Sequence, residues 1–445
     1  MTMSIDFSPY FAMSGDQAFE SRKATMPWRS SLPVAEQDIN KTWLQLISSP
    51  IHSGKPRKRL VYIHIPFCET HCTFCCFYQN KFVANTARNY AQAIIQEIKM
   101  EAESEFHQSA PIHAVYFGGG TPTALDAQDL ANIVTTLRQA LPLAPDCEIT
   151  IEGRVLNFNE DKVAASIESG VNRFSIGIQT FDSQIRRRLS RRATGKEAEL
   201  FLRKLVEREQ AAVVCDLLFG LPNQSLQSWK QDLSIAHDIG LDGVDLYALN
   251  LFPNTILGKA AANHRVSIPN AKQCRDLYLY GCESLDQLGW QRISNSHFAR
   301  TTRERNLYNL LIKEGADCLA FGSCSGGTIN GYSYMVERNL NHYFSKIDAQ
   351  CKPLMMMTRS LENHQWQHDL QSGVEKGRIQ LEDLTLHAEY LQPLLRQWYQ
   401  CGITQSDSTC VRLTNEGRFW ASNILSTFQE LIPKISQQKN TQHKY

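Results

Sequence analysis

The residues best suited to do chemistry are three closely spaced cysteines, Cys68, Cys72 and Cys75, in the segment YIHIPFCETHCTFCC. A loop of this length can bring three thiolates around one centre. A structural zinc site is typically closed by four ligands, and His71 or Cys76 is available as the fourth, so zinc stays an alternative. An iron–sulfur cube held by only three cysteines instead leaves one iron open to a substrate or cofactor. The spacing alone favours the cluster over zinc.

Repeated short apolar segments, each followed by a longer amphipathic one, predict the elements that carry this loop. Strand–helix alternation indicates βαβ units and a parallel sheet, and six strands over about two hundred residues indicate a barrel or partial barrel. Active-site groups of such barrels lie at the carboxyl ends of the strands, and the cysteines directly follow the first strand. The predicted strands are residues 60–65, 113–117, 147–153, 173–179, 213–220 and 243–252.

The predicted fold class is therefore α/β, with a partial (β/α) TIM-like barrel over residues 59–290. An N-terminal extension with one helix occupies 1–58, and a mostly helical C-terminal domain occupies 291–445. The end of the chain predicts a helix, a short hairpin and a helix, similar to a winged-helix module. Its helices carry few clustered Lys or Arg, so we expect a structural or substrate-lid role rather than nucleic-acid binding.

The overall composition argues against a nucleic-acid-binding, membrane or secreted protein. Lys and Arg number 46 against 45 Asp and Glu, a net charge of +1, so no global attraction for nucleic acid or an anionic membrane is expected. The N-terminus lacks the pattern of a secretory signal, and no uncharged apolar stretch is long enough to span a bilayer. Thirteen cysteines in such a chain are typical of a reducing compartment. We therefore expect a cytoplasmic protein.

Several later strands end in glycine or in a polar residue. The second ends in the run GGGTP, and glycines at a strand end let the backbone approach a ligand closely. Neither a P-loop nor a GxGxxG dinucleotide motif is present. The third, fourth and fifth strands carry Glu152, Gln179 and Asp216 near their ends. Buried charge has to be paired or used, so we expect these side chains to converge on one rim.

The CxxxCxxC pattern, with Phe74 just before the third cysteine, resembles the signature of the radical S-adenosylmethionine (SAM) superfamily. The run YIHIPFC resembles the branch that contains the oxygen-independent coproporphyrinogen dehydrogenase. The resemblance implies a [4Fe–4S] cluster on the three cysteines whose open iron binds the amino and carboxylate groups of SAM. It further implies one-electron cleavage of SAM to methionine and a 5′-deoxyadenosyl radical. The corresponding motif of the dehydrogenase is similar to CxxxCxxCxC, whereas in this chain Cys76 directly follows Cys75. We therefore expect a structural role for Cys76.

The same resemblance implies which residues contact SAM. The GGGTP run resembles the loop that receives the amino end of SAM. After the third strand this chain has GRVLNF where the dehydrogenase has a longer acidic turn, so we expect the substrate side of the site to differ. The implied SAM contacts are Tyr62, Phe74, Gly119, Gly120, Thr121, Glu152, Gln179, Arg191, Asp216 and Ala248.

Three activities of this branch are candidates: coproporphyrinogen decarboxylation, haem transfer by a chaperone, and anaerobic opening of the haem macrocycle by a radical SAM methyltransferase. The chain length, the run CCFYQNKF and the run FGSCSGG with Cys324 resemble the haem-utilisation enzymes of the HutW/ChuW type. This resemblance implies haem as substrate, SAM as radical source and methyl donor, release of iron and a methylated linear tetrapyrrole. The dehydrogenase and the chaperone remain the alternatives.

The implied haem-opening activity also predicts which partners the chain binds. We expect an external electron donor, such as a flavodoxin or a reductase, because the chain has no flavin motif. We expect no nucleic-acid or membrane partner, and the oligomeric state is left open. An apolar pocket with polar anchors for the propionates is expected, for which residues 321–360 offer tyrosines, Arg338 and a methionine run, although such residues more often pack a core. His297, His342 and His364 are candidate haem-iron ligands, and none is assigned.

Overall fold

The computed structural model describes residues 5–23, 31–50, 58–361, 365–384, 387–406 and 409–442. One strand and one α-helix precede the barrel, β1 (Ser31–Pro33) and α1 (Ile39–Ile47). The helix predicted in the N-terminal extension is thus confirmed. It buries Ile39 and Trp43, spaced four residues apart on one helix face.

The barrel region contains all six predicted strands. β9 is shorter than predicted, because the chain leaves the sheet after Ala248 and Pro253 has no amide to donate to a ladder. The strands are β2 (Arg59–Ile65), β3 (Phe67–Cys68), β4 (Asn80–Lys81), β5 (Ile112–Gly119), β6 (Leu143–Gly153), β7 (Arg173–Gln179), β8 (Ala212–Phe219) and β9 (Gly243–Ala248). The helices are α2 (Ala84–Ala102), α3 (Glu105–Gln108), α4 (Ala127–Ala140), α5 (Glu160–Ser169), α6 (Ser183–Arg188), α7 (Gly195–Glu207), α8 (Leu226–Ile239), α9 (Ile256–Ala262) and α10 (Ala271–Gln287).

Strands continue past residue 290, where the sequence predicted mostly helix. β12 is a short, fully buried apolar run, which periodicity alone does not distinguish from a piece of helix. The elements up to residue 360 are β10 (Gln291–Arg292), β11 (His297–Ala299), α11 (Leu307–Lys313), β12 (Asp317–Phe321), β13 (Gly326–Ile329), β14 (Tyr332–Val336), α12 (Leu340–Asp348) and β15 (Leu354–Ser360).

The C-terminal region is mostly helical, as predicted. Its three short strands pair in the order β16, β18, β17, and the predicted helix, hairpin and helix are present, whereas the likeness to a winged helix stays a prediction. The elements are α13 (Gln365–Lys376), β16 (Arg378–Gln380), α14 (Ala388–Gln400), β17 (Thr404–Ser406), β18 (Cys410–Leu413), α15 (Asn415–Phe419) and α16 (Ala421–Gln442). None of the described helices is long and apolar enough to cross a membrane.

One sheet organises the molecule. Among the described residues its order is β1-β15-β14-β13-β12-β2-β5-β6-β7-β8-β9-β11-β10. The strands from β12 to β9 run parallel, so their carboxyl ends meet at one rim. Because β12 pairs with β2, the sheet extends beyond the barrel boundary predicted at 290, and the domain boundaries themselves stay predictions.

Below the rim, the interior of the barrel is filled by α11 and by buried charges. Tyr308 of α11 stacks on Tyr116, with ring centroids 4.7 Å apart. Four buried side chains form what we call the barrel floor: Arg173, Asp245, His297 and Glu304. Arg173 Nε lies 2.9 Å from Glu304 Oε2. The two ring nitrogens of His297 each lie 3.0 Å from a carboxylate oxygen, one of Asp245 and one of Glu304.

Candidate active site

The cysteine loop leaves β2 at the rim and is pinned at both ends by backbone hydrogen bonds. β3 and β4 pair in parallel across its base, with Phe67 opposite Asn80. The Asn80 amide donates to the Pro66 carbonyl at 3.1 Å, and the Phe82 amide donates to the Cys68 carbonyl at 3.0 Å. The eleven residues between these strands therefore form a closed loop over the barrel mouth.

The three thiols of the motif differ from the fourth cysteine of the loop. Cys68 and Cys72 are buried and Cys75 is half-buried, whereas Cys76 is exposed. The Cys68 thiol lies 3.3 Å from Thr121 Oγ1, and Cys75 Sγ accepts a hydrogen bond of 3.3 Å from the Phe77 amide. Burial raises the pKa of the Cys68 and Cys75 thiols.

The spacing of these thiols fits a cluster better than a single ion. Within the described ranges, no three His, Cys, Asp or Glu side chains are close enough together to hold one metal ion. Zinc draws its sulfur ligands to about 2.3 Å, whereas each thiolate of an iron–sulfur cluster takes a different iron. Cys68, Cys72 and Cys75 line one cavity of about 210 Å³, so they surround a space rather than a point.

The glycine run at the end of β5 brings backbone against this loop. Gly119 has a φ of +107°, and a Cβ there would lie 2.5 Å from the His64 ring. A Cβ on Gly120 would lie 2.7 Å from the Phe67 carbonyl oxygen. Only glycine fits these positions, which lets the end of β5 pack directly beneath the cysteine loop.

Two carboxylates reach the cavity from neighbouring strands. Glu152 on β6 accepts a hydrogen bond of 2.7 Å from the Tyr116 hydroxyl, and burial raises its pKa. Asp216 on β8 accepts one of 3.3 Å from Ser175 Oγ. Burial, followed by the nearby Asp245 and Glu152, raises the pKa of Asp216 to about 7. The cavity therefore holds one anchored carboxylate and one whose charge depends on pH near neutrality.

Gln179 and Arg191 reach the cavity through a strained turn after β7. Gln179 has a φ of +68°, in the left-handed region that non-glycine residues rarely adopt. Buried Arg186 holds this turn, because its guanidinium donates to the carbonyls of Ile178, Thr180 and Ala193 at 2.6–3.0 Å. In the described part of the chain, Gln179 Oε1 and Arg191 Nε are buried without a hydrogen-bond partner in the protein, which leaves both atoms able to bond a ligand or water in the cavity.

The structure brings most of the predicted SAM contacts together. Tyr62 and Gly119 do not line this cavity: Tyr62 lies beside Gly118 and near Glu152, and Gly119 packs against the His64 ring. Ala248 borders a second cavity at the end of β9. Seven of the ten line the same cavity as the three cysteines, namely Phe74, Gly120, Thr121, Glu152, Gln179, Arg191 and Asp216.

Sequence reasoning missed two side chains at this site. Arg154 donates from Nη2 to Cys72 Sγ at 3.1 Å and from Nη1 to the Thr70 carbonyl at 3.1 Å. His64 is buried and lies 3.2 Å from the Tyr62 hydroxyl. Burial lowers the pKa of His64 to about 4, so its ring is neutral at pH 7. His64 was detectable, because a residue two positions from Tyr62 in a strand shares its face.

The second cavity, of about 300 Å³, lies between the end of β9 and the C-terminal region. Phe219, Tyr278 and Phe419 form an aromatic wall, with ring centroids 5.6–6.4 Å apart. Arg418 donates to Asn295 Oδ1 at 3.0 Å, and Arg22 donates to the Phe419 carbonyl at 3.1 Å. Neither guanidinium has a carboxylate within ion-pair distance among the described residues.

Other predicted haem-contacting residues lie elsewhere. Tyr334 and Tyr343 are buried core residues whose hydroxyls bond the Ala320 amide and Glu97. The packing interpretation of these tyrosines is therefore confirmed. His297 is held between two floor carboxylates and is not free to bind haem iron. His342 is exposed on α12, and His364 lies outside the described residues.

Comparisons with known proteins agree with this geometry. The model of the radical SAM superfamily matches residues 62–235. The chain is 60% identical over 434 residues to anaerobilin synthase of Escherichia coli O157:H7, covering 97% of each protein. It is 29% identical over 316 residues to the haem chaperone HemW of Synechocystis, covering 67% of this chain and 76% of HemW. The structure of coproporphyrinogen III oxidase HemN from Escherichia coli matches with a TM-score of 0.75 at 23% identity, over 93% of this chain and 97% of HemN, which shows a common fold.

The fold and the site define a radical SAM enzyme, the class that uses a [4Fe–4S] cluster and SAM. Within that superfamily the chain belongs to the family of anaerobilin synthase.

Proposed function

We propose that this enzyme opens the haem macrocycle without oxygen, transfers a methyl group from SAM, and yields a methylated linear tetrapyrrole with release of iron. The observation that carries the proposal is 60% identity to anaerobilin synthase across 97% of both chains. HemW is less similar and spans less of the chain. HemN shares the fold at 23% identity, which supports no particular substrate.

We assign the cluster to Cys68, Cys72 and Cys75. Their thiols line one cavity while the fourth cysteine of the loop, Cys76, faces outward. When bound, the cluster and SAM supply a 5′-deoxyadenosyl radical and, in a second use of SAM, a methyl group. The remaining chemistry of the site is positioning, which falls to the residues around these thiols.

The cavity wall offers groups suited to SAM. Glu152, fixed by the Tyr116 hydroxyl, can accept a hydrogen bond from an ammonium group. Arg191 can pair with a carboxylate, and the unpartnered Gln179 oxygen can accept from an amine or hydroxyl. We propose that these groups hold SAM in one orientation, because a radical must form within a few ångströms of the atom it attacks.

We propose the second cavity as the place where the tetrapyrrole binds. Aromatic walls suit a flat macrocycle, and the guanidinium groups of Arg22 and Arg418 suit its propionates. Ala248 at the end of β9 borders this cavity and is one of the residues that the resemblance implies as SAM contacts. The proposed tetrapyrrole site would therefore adjoin the proposed SAM site at this residue.

The experiment that tests the function is an anaerobic turnover. The reconstituted enzyme is mixed with haem, SAM and a reductant, while the Soret band is followed and products are analysed by mass spectrometry. We expect loss of the band together with 5′-deoxyadenosine and an iron-free methylated tetrapyrrole. Unaltered haem under conditions that cleave SAM would contradict the proposal. Carbon dioxide release from coproporphyrinogen would then favour the dehydrogenase, and transfer of intact haem would favour the chaperone.

A further inference from the structure

A row of buried acids and bases crosses the barrel interior beside both cavities. Asp216 on β8 lines the first cavity and lies opposite Asp245 on β9 in the sheet register. Asp245 in turn lies opposite His297 on β11, and its Oδ2 atom is 3.0 Å from His297 Nδ1. Residues opposite each other in neighbouring strands project from the same face of a sheet. The row therefore links the first cavity to the barrel floor.

Tyr247 connects this row to the second cavity. It lies two residues after Asp245 on β9, so the two side chains share one face of the strand. Desolvation of its hydroxyl, the charges of Asp245 and Asp216, and a hydrogen bond to Asp245 raise the pKa of Tyr247, so the phenol keeps its proton at pH 7. Tyr247 is nevertheless exposed over 38% of its surface and lines the second cavity. The phenol therefore lies between a floor carboxylate and the proposed tetrapyrrole site.

The other titratable side chains that line the second cavity are bonded elsewhere or do not release a proton. Tyr278 donates its hydroxyl proton to the Asn295 carbonyl at 2.6 Å. Lys313 and Glu375 are paired with each other at 2.9 Å. The two arginines of the cavity stay protonated, as arginine does in proteins. Among the described lining residues, Tyr247 is therefore the group best placed to give up a proton and to regain it.

His297 can supply the replacement proton. The carboxylates of Asp245 and Glu304 outweigh burial and raise the pKa of His297 to about 9, so its ring is a cation at pH 7. Its Nε2 atom lies 3.0 Å from Glu304 Oε1, on the side away from Asp245. Arg173, which also pairs with Glu304, does not release a proton. A proton on His297 therefore has a route through Asp245 to Tyr247.

We propose that Tyr247 gives a proton to the tetrapyrrole as iron is released, and that Asp245 passes Tyr247 a replacement from His297. This inference rests on the proposed function and deepens it. The macrocycle binds iron as a dianion, so two protons must replace the iron when it leaves.

Tyr247 supplies one of these two protons as a general acid. An Fe–N bond breaks, an N–H bond forms, the iron departs as a cation, and no electron moves in this step. The proton lost overall is that of the His297 imidazolium, because Asp245 and Tyr247 each give one proton and receive one. After the product leaves, the exposed part of Tyr247 allows a proton from water to return to His297 by the same route.

The test is an anaerobic single turnover of the reconstituted enzyme with haem, SAM and a reductant. Free ferrous iron is followed with a chelating dye, and 5′-deoxyadenosine and the tetrapyrroles are measured by mass spectrometry. Tyr247→Phe removes the hydroxyl and keeps the ring, and Asp245→Asn interrupts the route at constant size. The matched control is Tyr399→Phe, at a residue of α14 that is 58% exposed. Soret titration of the cluster-free proteins measures haem affinity without turnover.

For Tyr247→Phe we expect iron release at least about tenfold slower than in wild type. A positioned general acid contributes about 10²–10⁴-fold, and water can replace part of that contribution. Formation of 5′-deoxyadenosine and haem affinity should match wild type, and an opened tetrapyrrole that still holds iron should accumulate. Asp245→Asn should slow iron release as well, and Tyr399→Phe should behave as wild type.

Iron release at the wild-type rate in Tyr247→Phe would overturn the proposal. Equal slowing of SAM cleavage and iron release, or weaker haem binding, would also overturn it, because Tyr247 would then position the reactants. A normal rate in Asp245→Asn would overturn the supply of protons from His297, and if Asp245→Asn does not fold, Tyr247→Phe decides alone. A wild-type enzyme that cleaves SAM and leaves haem intact would refute the proposed function and the proton route with it.

Discussion

Charged side chains at the mouth of the barrel, beside the cysteine loop, differ from those of the barrel floor in whether they have carboxylate partners. At the floor, Arg173 and His297 are enclosed and each lies about 3.0 Å from a carboxylate. At the mouth, neither Arg154 nor Arg191 has a carboxylate within ion-pair distance among the described residues, and Arg154 is bonded to a cysteine thiol and a carbonyl. Burial of a cation without an anionic partner lowers stability, and its retention at the mouth supports our proposal that a ligand binds there. The same residue types are ion-paired within the fold at the floor and, we propose, bind cofactors at the mouth.

The largest expected effect is at the mouth. Replacing Cys72 by Ala removes one of three proposed cluster ligands, so the cluster should not assemble. We expect loss of its brown absorbance and of SAM cleavage, with iron and sulfide assays near zero and an unchanged circular dichroism spectrum. The matched control is Cys76→Ala, which removes an exposed thiol of the same loop and should keep the cluster. Full activity of the Cys72 variant would refute the cluster assignment.

At the barrel floor, we expect a substitution to lower the stability of the fold rather than to affect the cluster. Glu304→Gln removes the carboxylate shared by Arg173 and His297, and breaking a buried pair costs about 3–5 kcal/mol. Urea unfolding of the cluster-free protein should report a loss of that size, while exposed Glu103→Gln should change the free energy of unfolding little. If Cys72→Ala destabilises the cluster-free fold as much as Glu304→Gln, the distinction between the two ends fails.

The floor should also give stability a pH dependence. The carboxylates of Asp245 and Glu304 outweigh burial and raise the pKa of His297 from 6.5 to about 9. The folded pKa is higher than the unfolded one, so this stabilisation is fully present below about pH 6.5 and is lost as pH rises through 9. Its size is at most roughly 3 kcal/mol. The difference in free energy of unfolding between wild type and His297→Gln should narrow as pH rises from 6 to 10. A constant difference across that range would show that the floor does not titrate.

Sequence reasoning located the mouth far better than the floor. The six strands and the cysteine motif are local patterns, and parallel strands necessarily bring their ends to one rim, so Glu152, Gln179 and Asp216 converged as expected. The floor joins Arg173 to Glu304, 131 residues further along the chain, and no periodicity records such a pairing. Arg154 was missed for a related reason, because its contact is with a loop 82 residues earlier.

Arg418, which lines the second cavity, is also a buried cation and can be compared with those of the mouth and the floor. It has no carboxylate partner in the described chain, and burial lowers its pKa, so it resembles the mouth rather than the floor. A hydrogen bond to a charged group contributes about 1.5–3 kcal/mol, so Arg418→Gln should weaken haem binding by about tenfold or more. Haem dimethyl ester, which lacks the propionate charge, should bind both proteins alike.

Haem and ester affinities are measured by Soret titration, with exposed Arg396→Gln as the matched control. Equal haem affinity of wild type and Arg418→Gln would contradict the proposal that the propionates bind in this cavity. If Arg418→Gln instead weakened SAM binding alone, the carboxylate at this position would belong to SAM. A loss of stability comparable to that of Glu304→Gln would place Arg418 with the floor residues.

The smallest expected effect concerns Arg154, which tests whether a charge at the mouth acts on the cluster rather than on the fold. The hydrogen bond from Arg154 Nη2 to Cys72 Sγ withdraws electron density from a proposed cluster ligand. Hydrogen bonds to the sulfur ligands are among the factors that set the reduction potential of a cluster. Arg154→Gln removes the charge and should lower the midpoint potential in a titration monitored by electron paramagnetic resonance, with iron content and unfolding free energy unchanged. Arg154→Lys keeps the charge but not the planar fork, so it should recover part of the shift. If both variants keep the wild-type potential, Arg154 merely fastens the loop to the Thr70 carbonyl, and the mouth then contains a structural charge like those of the floor.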